Sequence, residues 1–368
     1  MRVDPGVTGN SPPPPLRTRR AVLRAGASAL GASAATASGG RAQGAARPWP
    51  GRLILACDQA SRSVLLLDGV STYWSARGGA RPASPSPLWT WSAETDPQVA
   101  DLNPKRFWRN VSEAKTASAG GASLVLTCAS EGLAAVLRVG TGRVAWALSL
   151  PLANLHSMEL LPDGNIALAA STAGFVRVYA ASRGPRADTH SEVPLPGAHG
   201  LHWDATGGLL WALGTRVLMA LAVEGSARHP RLTPMLTLPL PEPGGHDLAP
   251  VPGAPGRMWL STRTRVHQFS VRRREFTLGP WWPRLDRPSV KSVSQNRLTG
   301  RILTVSPDPA SPCTWCTSRI QFHRPHATAE FAGSSLYKAR WWDLADVPAP
   351  ASAGAPRGTG RAISRPTP

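Results

Sequence analysis

From Asn154 to Tyr179 the chain reads NLHSMELLPDGNIALAASTAGFVRVY, three short apolar stretches separated by a Pro162–Asp163–Gly164–Asn165 turn and a Thr172–Ala173–Gly174 turn. Short apolar or alternating runs bounded by Asp-Gly and Gly turns predict antiparallel strands joined as hairpins. The same unit recurs. Six segments begin with a basic residue and run into a strand: Lys115 in SEAKTAS, His156 in NLHSMEL, His199 in GAHGLHW, His246 in GGHDLAP, Lys291 in SVKSVSQ and Lys338 in LYKARWW. The intervals between them are 41, 43, 47, 45 and 47 residues. The first five are followed by a turn and an apolar strand (ASLVLTC, NIALAAS, LLWALG, RMWLST, GRILTVS), then by a third strand (AAVLRV, FVRVY, VLMALAV, VHQFSV, RIQFH) and a more variable fourth.

The two ends of this array complete each other. Lys338 has no second strand after it, whereas Arg52–Cys57 and Ser63–Leu67 look like second and third strands with no first strand before them, and PLWTWSA from Pro87 supplies a fourth. The expectation is an all-β fold: a six-bladed β-propeller of four-stranded blades over residues 48–346, its ring closed by the C-terminal strand joining the N-terminal blade. Closure removes free sheet edges.

Composition changes this picture little. The 14 tryptophans outnumber the six phenylalanines and three tyrosines together, so indoles carry much of the large-residue packing. The formal charge of +19 comes from 41 basic and 22 acidic residues, yet only Lys105, Lys115, Lys291 and Lys338 are lysines. With no nucleic-acid motif and no basic helical stripe, the charge reads as a solvated surface, and no nucleic acid is expected as partner. No Ser elbow, Gly-rich phosphate loop or dinucleotide fingerprint is present.

The ends read differently. Thr18–Arg24 (TRRAVLR), the weakly apolar run Ala25–Ser38 and the small residues around Ala42–Ala46 match a twin-arginine signal peptide, assigned to residues 1–46. Export by that route to the periplasm or the extracellular space is the expectation, with no stable membrane insertion afterwards and a monomeric product. Residues 347–368 are Pro/Ala/Arg-rich and read as a disordered tail. Cys57 and Cys128 lie in apolar strands and read as buried thiols, while Cys313-Thr-Trp-Cys316 suits a local disulfide better than a zinc site, which needs a second pair. Arg272–Arg274 reads as a solvated loop, and Trp281–Trp282 and Trp341–Trp342 as packing between blades.

Taken as a set, NLHSMELLPDGN, AHGLHWD with LLWALG, GGHDLAPV, VKSV and YKARWW resemble a bacterial domain-of-unknown-function family of secreted, propeller-like proteins, over roughly residues 50–342. The resemblance implies the fold and export, and no activity.

In a propeller the first strand of each blade lines the central channel, so Lys115, His156, His199, His246, Lys291 and Lys338 are expected to ring one mouth, with Asp58 and Arg263 offered from loops on the same face. Three of the four lysines at these positions, in a chain that otherwise prefers arginine, argue for a compact, tunable cation. Such a ring fits the binding of a small anionic molecule. The alternatives are an enzyme, a lyase, hydrolase or transferase, using His156, His199 and His246 as catalytic groups or as ligands of one divalent metal ion, and a structural or protein-interaction propeller whose anchors only hold the blades. Glu113, Glu159 and Asp247 stand beside the anchors as counter-charges.

Overall fold

The computed structural model describes residues 51–71, 73–75, 86–279 and 285–344. The residues expected to form a signal peptide, 1–46, and a tail, 347–368, together with Trp281–Trp282, lie outside the described residues. Six antiparallel sheets follow one another along the chain, the blades of an all-β propeller. Blades 2 to 6 each use consecutive strands, with the innermost ones at Val111–Ala119, Leu155–Leu160, Gly200–Asp204, Asp247–Pro250 and Ser292–Gln295. Blade 1 is composite. Its innermost strand is the C-terminal Leu336–Trp341, paired antiparallel with Leu53–Asp58, outside which lie Ser63–Asp68 and Trp89–Trp91. The predicted closure is therefore the observed one. Blade 6 differs from the four-stranded expectation, because Tyr73–Ser75 adds a fifth strand parallel to Ala327–Ala332.

The hydrophobic pattern explains the packing. Among the described residues there are six apolar clusters, one for each interface between adjacent blades. Leu53, Leu55 and Cys57 face blade 2, while Ile54 and Ala56, alternating with them, face blade 6. Because both faces of such a strand are covered, LILAC reads as a continuous apolar run where a half-buried strand would alternate with polar residues. The indoles tie blades together through their N–H groups: Trp259 Nε1 donates to Gln295 Oε1 at 3.1 Å and Trp108 Nε1 to the Arg62 carbonyl at 2.8 Å. The turn glycine Gly164 has φ +84°, which the Pro-Asp-Gly signal anticipated. Cys57 and Cys128 are buried free thiols, and burial pushes the Cys128 thiol up to about 12.

Beyond the sheet pairing, the ring is fastened by Gln59 N donating to the Ser335 carbonyl at 3.0 Å and Trp342 N to the Leu53 carbonyl at 2.9 Å. A chain ending at Ser335 would expose the Leu53–Asp58 edge and remove the inner wall of blade 1. Such a truncation should lose its cooperative thermal transition and aggregate, as read by circular dichroism and size-exclusion chromatography.

Candidate functional site

The innermost strands are irregular at one end, and this irregularity makes the site. In blade 3, Ala169 pairs with Ser157 and Ala170 with Leu155, leaving His156 as the extra residue of a β-bulge. In blade 1, Ala56 pairs with Ala339 and Asp58 with Leu336, so Tyr337 and Lys338 share one partner position. Bulges re-aim side chains at sheet rims. In blades 4, 5 and 6, His199, His246 and Lys291 lie one residue ahead of the inner strand, each with its backbone N–H tied to the second strand.

The result is a cavity of about 650 Å³ at one mouth of the ring. His156, His199, His246, Lys291 and Tyr337 line it from the inner strands, Gln59, Ser130, Glu131 and Thr172 from the outer loops, and Trp315 and Leu152 from exposed positions. The imidazoles of His156 and His199 stack with ring centroids 4.1 Å apart, and His199 meets His246 edge-on at 5.4 Å. His156 Nδ1 is 3.2 Å from the Tyr337 hydroxyl, and Lys291 Nζ is 3.3 Å from His246 Nε2. His199 Nδ1 is 2.8 Å from the Gly197 carbonyl, a pure acceptor, so Nδ1 carries the proton and Nε2 offers its lone pair.

These histidines are neutral at pH 7. Burial, then the charges of Lys338 and Lys291, hold His199 down at about 4, against the pull of its bond to Gly197. Burial and Lys291 hold His246 at about 2, and burial with His199 and Lys338 keeps His156 well below its ordinary range. Burial, with Lys338 and Arg263 adding positive field, brings the Lys291 ammonium down to about 8.

Beneath this cavity the channel is filled by ions. Arg340 grips Glu113 with Nε to Oε1 at 2.8 Å and Nη2 to Oε2 at 2.9 Å, and reaches Asp247 Oδ1 at 2.6 Å. Lys338 Nζ lies 3.2 Å from Glu113 and 3.3 Å from Asp247. All four are buried. Burial alone would raise the Glu113 carboxyl, but Arg340, Lys338 and Lys115 reverse the effect and hold it below the usual range. A second cavity, about 240 Å³, opens below the plug and shares no lining residue with the first.

The expectation of six basic residues around one mouth is therefore corrected. His156, His199, His246 and Lys291 converge there. Lys115 lines the second cavity, 3.3 Å from Glu159 and donating to the Leu201 carbonyl at 2.6 Å. Its 41-residue interval to His156 was the short one; the true register between these blades is 44 residues, seen in the Ser157–Glu113 and Lys115–Glu159 bonds. Lys338 belongs to the plug, since the bulge gives the mouth position to Tyr337. Asp58 does not line the cavity either: its buried carboxylate accepts from Ala60 N, Ser61 N, Ser61 Oγ and, across the closure, Ser335 N at 2.7 Å. Arg263 is exposed and near enough to His246 and Lys291 to depress both. The three histidines do not fit a divalent metal. His156 Nδ1 meets the Tyr337 hydroxyl, His199 Nδ1 the Gly197 carbonyl and His246 Nε2 an ammonium, and among the described residues no group of three or more His, Cys, Asp or Glu side chains is placed to hold a metal ion. Tyr337, Trp315 and the clamp Arg340 escaped the sequence reading, because nothing marks one arginine in an arginine-rich chain. Cys313 and Cys316 are disulfide-bonded, closing the short loop that carries Trp315.

The molecule is thus a six-bladed propeller with an ion-plugged channel and a histidine-floored basin. The chain belongs to a family of unknown function, DUF6528, whose pattern matches residues 82–349. No functionally curated protein matches it. Among solved structures, a chain of a mitotic checkpoint complex is 13% identical over 74% of either chain with a TM-score of 0.45. A streptogramin B lyase is 13% identical over 60% of this chain and 68% of its own, with a TM-score of 0.41. Likeness at this level carries no functional argument.

Two outcomes test the electrostatics. Arg340→Ala leaves the two buried carboxylates Glu113 and Asp247 with Lys338 alone between them and should cost about 3–5 kcal/mol in denaturant unfolding. The unfolded chain protonates its histidines near pH 6.5, whereas folded His199 and His246 resist until about 4 and about 2. Stability should therefore fall as pH drops below 6.5, by up to about 1.4 kcal/mol per pH unit for each histidine. A His199→Gln/His246→Gln variant should show a shallower loss of melting temperature between pH 6.5 and 4.5.

Proposed function

We propose that this protein binds a small anionic ligand in the 650 Å³ basin, with Lys291 as the charge that holds it. One observation carries the reading. Lys115, Lys338 and Arg340 each have carboxylate partners within the protein, whereas no carboxylate among the described residues pairs with Lys291, which is only 8% exposed. A buried cation without a counter-ion is costly, and an anion from solution relieves that cost. Arg263 adds positive field at the rim, and the Tyr337 hydroxyl and Lys291 itself supply donors. Residues 1–46 resemble a twin-arginine leader, and the Cys313–Cys316 disulfide suits an oxidising compartment, so we place this activity outside the cytoplasm.

Lys291 binds an anion only while protonated. Affinity should be full below about pH 8 and fall roughly tenfold per pH unit above the ammonium's value in the complex, which the anion itself raises. Thermal melts with acetate and phosphate should show concentration-dependent stabilisation at pH 6.5, weaker at pH 9.5 and absent in Lys291→Met. Equal stabilisation of Lys291→Met, or none for the wild type at any concentration, sinks the reading.

A further inference from the structure

Resting on the anion reading, we propose that the basin takes an acidic sugar of one or two rings, its carboxylate on Lys291 and one ring face on Trp315. Three independent features of the cavity point there. The first is size. At about 30 Å³ per water, 650 Å³ holds on the order of twenty waters, so a lone inorganic anion at Lys291 leaves most of the basin wet. The second is the lining chemistry. Apart from the carboxylate of Glu131 on an outer loop, the polar side chains above the single buried ammonium are neutral amides, hydroxyls and imidazoles, and they offer acceptors as well as donors. His199 Nε2 presents a lone pair, because Nδ1 is committed to Gly197. Asn154 spends its Nδ2 on the Thr172 hydroxyl at 3.0 Å, which leaves its Oδ1 as an acceptor. Acceptors repel a bare anion but suit hydroxyl groups, so the lining reads as one charge position within a field of hydroxyl positions.

The third is the rim. Trp315 is 45% exposed although it is an indole, and its orientation is set: Nε1 donates to Gln59 Oε1 at 2.9 Å and the loop beneath it is closed by the Cys313–Cys316 disulfide. An indole held by its edge, beside a cavity whose walls carry amides and hydroxyls, offers its flat apolar surface to the C–H face of a pyranose ring while the ring's hydroxyls turn to those groups. A flat hydrocarbon acid would meet the same indole but leave the wall amides and hydroxyls without partners.

Titration calorimetry at pH 6.5 separates the parts of this proposal. The probes are glucuronate, galacturonate and their disaccharides, with acetate and inorganic phosphate as small anions, and glucose and galactose as neutral sugars. At least one of the acidic sugars should bind ten or more times tighter than either control class. Trp315→Ala should weaken that sugar by about tenfold and leave acetate unchanged, Trp315→Phe should restore most of the loss, and Lys291→Met should weaken acidic sugar and acetate alike. Because Trp315 is exposed, an unchanged melting temperature checks that its variants are folded. Acetate or phosphate binding as tightly as every acidic sugar, or Trp315→Ala binding like the wild type, overturns the sugar inference and leaves the anion reading standing. A neutral sugar binding as tightly as its acid overturns the role of charge, and with it both readings.

Discussion

Two carboxylates and two cations sealed in the middle of the ring set the terms for everything around them. Glu113 comes from blade 2, Asp247 from blade 5, and Lys338 and Arg340 from the closing strand. Desolvating four charges offsets much of what their attraction returns, so the group is better understood as a specifier than as a source of stability. It specifies closure. A slip of one residue in Leu336–Trp341 would turn Lys338 and Arg340 toward the apolar interfaces and Tyr337 and Ala339 toward Glu113 and Asp247. Only the observed register neutralises the acids, so the last strand added to the ring is also the one the channel can verify. The apolar clusters between blades are permissive by comparison, since alternative hydrophobic registers lose packing without stranding a charge.

The plug also explains the character of the basin above it. Lys338 lies directly below the histidine floor and its charge, together with burial, keeps the imidazoles neutral. Ring stacking of His156 on His199 is compatible with that neutrality and would not survive two adjacent positive rings. The basin is therefore less cationic than a count of its basic residues suggests, with its positive charge concentrated at Lys291 and, at the edge, Arg263.

Blade number, strand order and ring closure were legible from the sequence because each rests on a local signal repeated several times: an apolar run, a Gly or Asp-Gly turn, a basic residue ahead. The phase of individual side chains was not. Lys115 sits on a strand like the other anchors, and only a spacing three residues short of the 44-residue register betrays that it belongs to the opposite cavity. Tyr337 and Lys338 exchanged roles because a bulge, which depends on the partner strand, decides which of two neighbours reaches the mouth. Asp58 looked available as a loop carboxylate, yet its acceptors are spent on its own turn and on Ser335, 277 residues further along the chain. Trp315 was hidden for the opposite reason, since its position follows from a loop with no repeat to compare it with. What the sequence did supply was the list of counter-charges, Glu113, Glu159 and Asp247, although not which cation each would meet.

Because the plug divides the channel, the basin is a dead end. Traffic through the axis, which an open propeller permits, is closed off here, and whatever enters must leave by the way it came. Occupancy is then governed by one doorway, whose furniture is the loop bearing Trp315 and the turn bearing Leu152. A long polymer cannot thread such a vessel; it can only dip an end or a side branch into it, so the geometry favours termini and free small molecules over the interior of a chain.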